Sequence, residues 1–316
     1  MSLRFTAKAV SISIACDWAS MASAPTLEVG LSSEPTASDP HYHQPTPNEA
    51  LIAHIFEPLV RMSPDMELQP ALAETWEATD DHTWTFKLDK NAKFSNGEPF
   101  TADDVIFSFC RIHNNETGIA GGFVNTANRI KAIEAPDAYT VKLTTENPYP
   151  VLPNELARIP MIWNGIAEHG DLSYTPKEGC GVTGPWPEVN SFNQGTAVIG
   201  TGPYTLKSYV KGSTIELSRN DNYWGTKPDW ETVRLTSVPS DGPRLTGLLA
   251  GAFDLIENPA ARDLKRISDS GFEYTIKPSV RVMFFQLDAG REQSPLVKSP
   301  KGDNPLQNAK VRQAMS

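Results

Sequence analysis

Apolar and polar residues alternate in many short runs along this chain, and each run predicts a strand. Leu27, Val29 and Leu31 share one face of a first strand, Thr26 to Leu31. Trp76 and Ala78 alternate before the turn Thr79-Asp80-Asp81-His82, and Trp84, Phe86 and Leu88 alternate after it. Arg129 to Glu134 and Tyr139 to Leu143 read as strands around a turn at Ala135-Pro136-Asp137. Tyr204 to Val210 and Thr214 to Arg219 form a hairpin about Lys211-Gly212, and Thr232 to Val238 and Phe253 to Ile256 add two strands. Val280 to Leu287 is a strongly apolar strand.

Helical spacing appears between these runs. Asn48 is placed to cap a helix, Glu49 to Phe56, with Leu51, Ile52 and Ile55 inward. Thr101-Ala102-Asp103-Asp104 opens another: the Thr101 hydroxyl is set to cap, Asp104 to return the bond, and Phe100 and Val105 to staple. Asn96-Gly97 ahead of it predicts a tight turn with positive φ at Gly97. Shorter helices are expected at Asn154 to Ile159, Pro243 to Ala250 with Gly251 closing it, and Ala260 to Ile267. Strands and helices in this order imply an α/β chain with mixed sheets.

Composition changes the picture modestly. The 316 residues suffice for two domains, and a formal charge of −10 excludes the basic surface that a nucleic-acid partner needs. No apolar run reaches the length of a membrane span. The first residues instead resemble a signal peptide: Arg4 and Lys8, an apolar core from Ala9 to Ala15, and Ala22-Ser23-Ala24 as a cleavage site. Ile14-Ala15-Cys16 resembles a lipoprotein acceptor, although Ser13 stands where a larger aliphatic belongs. Of the other cysteines, Cys110 reads as a small buried hydrophobe in an apolar helix and Cys180 as a loop residue. The sequence alone gives no reason to pair them.

Candidate chemistry is sparse. His41 and His43 flank Tyr42, but two imidazoles without further ligands make a solvated loop the default over a metal site. Gly200-Thr201-Gly202 lacks the third glycine of a dinucleotide loop, and Pro203 follows where a helix would open, so it reads as a turn before a strand. Asp103 and Asp104 point about 100° apart on a helix and make poor acid–base partners. No nucleophile and base cluster, which leaves no enzyme to argue for and no cofactor.

The motifs are more informative as a set. Pro70-Ala71-Leu72-Ala73-Glu74-Thr75-Trp76, Trp84-Thr85-Phe86, Lys93-Phe94-Ser95-Asn96-Gly97-Glu98-Pro99-Phe100 and Thr101-Ala102-Asp103-Asp104-Val105 follow one another in fixed order. Gly200-Thr201-Gly202-Pro203-Tyr204, Asn220-Asp221-Asn222-Tyr223-Trp224-Gly225, Leu248 to Asp254 and Asn308 to Ala314 continue the series. Together they resemble the bacterial extracytoplasmic solute-binding proteins of family 5, which serve oligopeptide, dipeptide and nickel ABC transporters.

The resemblance implies a periplasmic-binding-protein-like α/β fold of type II, in the large peptide-binding class. It implies a leader at 1–24, a first-lobe core at 25–60 and 175–277, and an extra subdomain at 61–174. Residues 278–316 would be a hinge strand and the start of a second lobe that is mostly missing, so the chain is expected to bind ligand poorly. Contacts are expected from Glu34, His41, His43 and Phe123, and from Arg281, Phe284, Phe285 and Asp288 at the hinge. The implied function is capture of oligopeptides or dipeptides in the periplasm, as a monomer, and delivery to permease subunits in the inner membrane. A nickel chelate, an opine or another small solute is the alternative within the fold. A secreted hydrolase or a non-functional remnant is the alternative outside it.

Overall fold

The computed structural model describes residues 25–42, 44–114, 122–277, 284–300 and 302–315. The leader, His43 and Arg281 lie outside them. The chain divides into a unit ending at Tyr274 and a second beginning at Thr275.

Strand β1 (Thr26–Leu31) opens the first unit and helix α1 (Thr46–Ile52) follows. Pro47 occupies the first turn of α1, where its missing N–H is no loss, so the helix begins ahead of Glu49. Leu51, Ile52 and Ile55 are buried as their spacing predicts. Asn48 is not the cap expected of it. Its side chain is buried, and Oδ1 accepts the Thr36 N–H at 2.8 Å instead.

A short ribbon, β2 (Val60–Met62) with β3 (Leu68–Pro70), leads into an antiparallel sheet. That sheet contains β4 (Ala73–Ala78), β5 (Thr83–Leu88), β6 (Ile130–Asp137) and β7 (Thr140–Thr145), in the order β4-β5-β7-β6. Residues 135–137 continue β6 rather than turning. The reversal is tighter, with Asp137 opposite Thr140 and its Oδ1 accepting the Tyr139 N–H at 2.8 Å. Phe86 stands opposite Val141 and Trp84 opposite Leu143. Helix α2 (Ala102–Asn114) lays Val105, Ile106, Phe109 and Cys110 into the core that Phe86, Val141 and Leu143 begin. Gly97 has φ of 90°, as the turn requires.

At the start of α2 half of the expected capping box forms: Asp104 returns its bond to Thr101, but the Thr101 hydroxyl does not cap the helix. Asp104 is buried, and its Oδ2 receives both the Thr101 N–H (2.8 Å) and the Thr101 hydroxyl (3.2 Å). The hydroxyl is therefore a donor, drawn to the carboxylate rather than to a backbone N–H. Oδ1 accepts the Asn164 N–H at 2.9 Å, which ties α2 to the distant loop. Burial pushes the Asp104 carboxyl up to about 7, against these bonds.

Three short helices, α3 (Gly122–Ala127), α4 (Leu152–Leu156) and α5 (Val189–Asn193), precede the hairpin β8 (Tyr204–Tyr209) and β9 (Thr214–Arg219). Then come β10 (Thr232–Ser237), α6 (Asp241–Leu249), β11 (Leu255–Ile256) and α7 (Leu264–Asp269). The second sheet runs β11-β1-β10-β9-β8; β1 is parallel to both β10 and β11 and the other pairs are antiparallel. Val29, Leu31, Ile215, Leu217, Val233 and Leu235 join Leu51, Ile52, Ile55 and Phe56 in its core.

Gly200 and Gly202 explain themselves here. A Cβ on Gly200 would stand 2.0 Å from the Ile55 carbonyl oxygen, and one on Gly202 2.7 Å from that of His54. The turn lies directly on the end of α1, and its N–H groups serve it: Gly202 donates to Ile55 O and Tyr204 to His54 O.

Cys110 and Cys180 form a disulfide, which corrects the reading of Cys110 as a free hydrophobe. It fixes the segment Pro176–Gly181 against α2, where Gly179, Cys180 and Gly181 all have positive φ. In the second unit, the Asn304 side chain donates to Asp288 O and Arg291 O and accepts the Leu306 N–H, and Asn308 caps helix α8 (Ala309–Ala314). Residues 284–287, expected to lie in a strand, are extended coil with Phe284 and Phe285 exposed. No strand among the described residues pairs with them, and a lone strand is not stable. Among the described residues no helix is long and apolar enough to cross a membrane.

Closing a loop of 70 residues by a disulfide stabilises a fold by about 4 kcal/mol on chain-entropy grounds. The double variant Cys110→Ser/Cys180→Ser should therefore unfold at clearly lower urea. Coincident urea curves for parent and variant would contradict this.

Candidate functional site

The carboxyl ends of β1, β10 and β11 point the same way, and ligands of open α/β sheets bind outside such ends. Their loops are heavily bonded. Arg244 of α6, buried, gives Nε to Glu257 O, Nη1 to Val238 O and Pro239 O, and Nη2 to Asp241 and Asn258 O. Glu257 Oε2 accepts the Ser32 N–H and hydroxyl, and Asn258 donates to the Ser32 hydroxyl.

The loop leaving β1 is pinned at nearly every residue. Glu34 accepts the Gly212 N–H of the β8–β9 turn, and the Tyr209 hydroxyl donates to Pro35 O. Thr36 is held by Asn48, and Ser38 by Asn193 Oδ1 through both its N–H and hydroxyl. Asp39 goes deepest. Its carboxylate meets the Arg111 guanidinium in a two-pronged pair, 2.7 Å to Nη1 and 2.6 Å to Nη2, with both side chains fully buried. Pro187 O accepts from Arg111 Nε and Nη2, Phe192 lies with its ring centre 4.6 Å from the guanidinium carbon, and the His41 N–H donates to Asp39 Oδ1.

Of the residues expected to touch ligand, the structure brings two together. His41 is buried, its Nε2 lies 2.8 Å from Pro160 O, and its ring stands edge-on to Phe123 at 6.0 Å. Burial and the nearby Arg111 guanidinium lower its pKa to about 4, so the ring is neutral at ordinary pH. Phe123 is a wall of a cavity of about 210 Å³, together with Pro40, Ile52, Phe56, Ala157 and Pro160. Ala53 and Pro58 also line it, as do Glu49 and Arg158, an exposed ion pair.

The other expected residues are elsewhere. Glu34 is committed to the hairpin turn. Phe284, Phe285 and Asp288 belong to the second unit, where Asp288 lies 3.7 Å from Arg291. His43 and Arg281 are outside the described residues, among which no three His, Cys, Asp or Glu side chains gather as metal ligands. Pattern reading missed the Asp39–Arg111 pair and the Glu49–Arg158 pair. One signal was available for the first: Arg111 interrupts the apolar run from Val105 to Ile112, and a charge there needs a partner.

The motifs that looked most distinctive meet behind Phe56 and do not line this cavity. Ser95 N–H donates to Gly200 O, Asn220 Nδ2 to Gly202 O, and Asn222 Nδ2 to Ser95 O. Trp224 Nε1 and the Tyr223 hydroxyl both donate to the buried Glu57 carboxylate. Burial raises the pKa of Glu57 in spite of them.

The family model of the bacterial extracellular solute-binding proteins, family 5, matches residues 67–316. The chain belongs to that family. This family 5 chain is 28% identical over 301 residues to the probable D,D-dipeptide-binding periplasmic protein DdpA of Escherichia coli K12, covering 92% of the chain and 52% of that protein. It is 30% identical over 220 residues to the nickel-binding periplasmic protein of the same organism, covering 69% of the chain and 38% of that protein. Its fold superposes on DppA from Helicobacter pylori in complex with the peptide STSA with a TM-score of 0.64. The identity there is 22%, over 77% of this chain and 48% of that one. The fold is thus the type II α/β fold of these binding proteins, and the chain spans about half the length of the curated relatives it matches.

Removing the Asp39 carboxylate strands a buried guanidinium, so Asp39→Ala should cost about 3–5 kcal/mol in urea unfolding. The double variant Asp39→Ala/Arg111→Met should recover much of that, and simple additivity would disprove the coupling.

Two buried groups oppose each other in acid. His41, lowered from 6.5 to about 4, withdraws stability as pH falls through that window, because the unfolded chain takes up the proton first. Asp104, raised from 3.8 to about 7, adds stability over a similar window, because the native chain does. Between pH 7 and 4, His41→Gln should therefore gain stability relative to the parent, and Asp104→Asn should lose it. Parallel pH–stability curves for parent and variants would refute both assignments.

Proposed function

We propose that this chain is the substrate-capturing component of an ABC importer. It holds oligopeptides or dipeptides in the periplasm and passes them to permease subunits in the inner membrane. The observation that carries this reading is the rigid loop at the carboxyl ends of β1, β10 and β11, with an apolar cavity beside it. Family membership and the peptide-named relatives support it. A cleft wall that is fully hydrogen-bonded before ligand arrives needs no ordering on binding, which is how preorganisation raises affinity.

Residues 25–60 and 175–277 make the first lobe in this reading, and residues 61–174 an extra subdomain. Residues 278–316 carry the hinge and the beginning of the second lobe. Ligand favours closure of the lobes only through contacts it makes better in the closed state. Phe123 of the extra subdomain and the Pro40 edge of the first-lobe loop are the contacts assigned here, and a peptide main chain running along the loop would supply the remainder. Nothing is done to the solute chemically, and a monomer suffices.

A nickel chelate or an opine is the competing cargo. After incubation with a mixed tripeptide library, nickel chloride and an opine, native mass spectrometry of the chain should show retained peptide mass. Retention of nickel or the opine, with peptides left in solution, would overturn the reading.

A further inference from the structure

The cavity beside the β1 loop carries more information than its position. Its walls are Pro40, Ile52, Phe56, Phe123, Ala157 and Pro160, with no charge among them. His41, whose ring stands against Phe123, places Nε2 2.8 Å from Pro160 O and remains neutral. The charged lining groups, Glu49 and Arg158, are exposed and paired to each other. A polar solute moiety entering here would leave water for a surface that offers it no partner beyond that pair. An apolar one would lose only water.

Volume narrows the choice. A cavity of about 150 Å³ lined by aliphatic and aromatic side chains holds a benzene ring. At about 210 Å³, this one admits a leucine, methionine or phenylalanine side chain, and an alanine methyl would leave most of it empty.

We infer that this cavity is a side-chain specificity pocket which selects peptides bearing a bulky, uncharged apolar residue. The inference rests on the peptide-capture reading and names its substrate class. The Glu49–Arg158 pair lies where it can meet the peptide's polar main chain while the side chain enters. A hydrophilic sugar conjugate or a metal chelate has nothing to place there.

The test is calorimetry of the chain with tri-alanine and with tripeptides carrying leucine, phenylalanine or lysine at each position in turn. The leucine and phenylalanine peptides should bind about tenfold or more tighter than tri-alanine and the lysine peptides, the discrimination an apolar pocket of this size gives. Two variants fill the space from different sides: Ala53→Trp, from an exposed lining position of the cavity, and Ala157→Phe, from the wall. Each should abolish the preference, bringing the leucine and phenylalanine peptides down to the affinity of tri-alanine measured on the same variant. Ala53 is exposed, so its replacement should leave the fold intact even if that of Ala157 does not. Indifference to the side chain, or a preference that survives Ala53→Trp, overturns the inference and leaves peptide capture standing. Failure of every tripeptide to bind, where nickel or an opine does bind, overturns the reading beneath it as well.

Discussion

The Asp39–Arg111 pair is the constraint around which the first unit is organised. Taking both ions out of water costs several kcal/mol each, and only complete hydrogen bonding offsets it. Here the offset draws on four places in the sequence: the loop after β1, α2, the Pro187 carbonyl, and the Phe192 face of α5. None of these can shift without exposing a deficit at another. The pair adds little stability relative to apolar packing, but it permits one arrangement of those segments. His41 and Pro40 owe their place beside the cavity to it.

A second joint shares the task of holding the two sheets' surroundings in register. The Gly200–Gly202 turn rests on the end of α1, Ser95 and Asn220 bond to that turn, and Asn222 returns to Ser95. Glu57 gathers Tyr223 and Trp224 nearby. Close backbone approach demands glycine, and short polar side chains satisfy the exposed backbone groups. These motif residues thus record how the parts are joined and do not themselves line the cavity.

Strands and hairpins were legible because their faces are set by a period of two, which local sequence carries in full. Helix ends were legible only roughly. Asn48 and Thr101 have the right chemistry for caps, but Asn48 turns to Thr36, twelve residues away, and the Thr101 hydroxyl donates to the Asp104 carboxylate instead of capping the helix. The disulfide was illegible for the same reason. Cys110 and Cys180 are far apart in sequence, and their approach depends on a left-handed backbone at Gly179–Gly181 that no spacing announces. Of the candidate site, the resemblance pointed to Phe123 as turning inward, whereas His41 read by default as part of a solvated loop and is in fact buried. Glu34 looked equally suitable, yet a backbone N–H on a neighbouring hairpin claimed it. The cavity itself is assembled from α1, α3 and the segments that follow β1, α1 and α4, so it exists only once they have packed.

The placement of β1 has a consequence for how the chain folds. Val29 pairs with Leu235 and Leu255, more than two hundred residues downstream, whereas the sheet of β4 to β7 lies wholly between residues 73 and 145. Contacts that span such distances are slow to find, because the intervening chain must be gathered first. As the polypeptide emerges in order, the four-stranded sheet has all its strands by residue 145, and α2 has the apolar face it packs on, although its bonds to Asn164, Cys180 and Pro187 come later. The five-stranded sheet has to wait for β10 with its first strand unpaired. Until then the apolar face of β1 is an open edge, and the early sheet is a finished insert inside an unfinished one. Sequence order thus sets a schedule in which the element at the very start of the described chain is among the last to be secured.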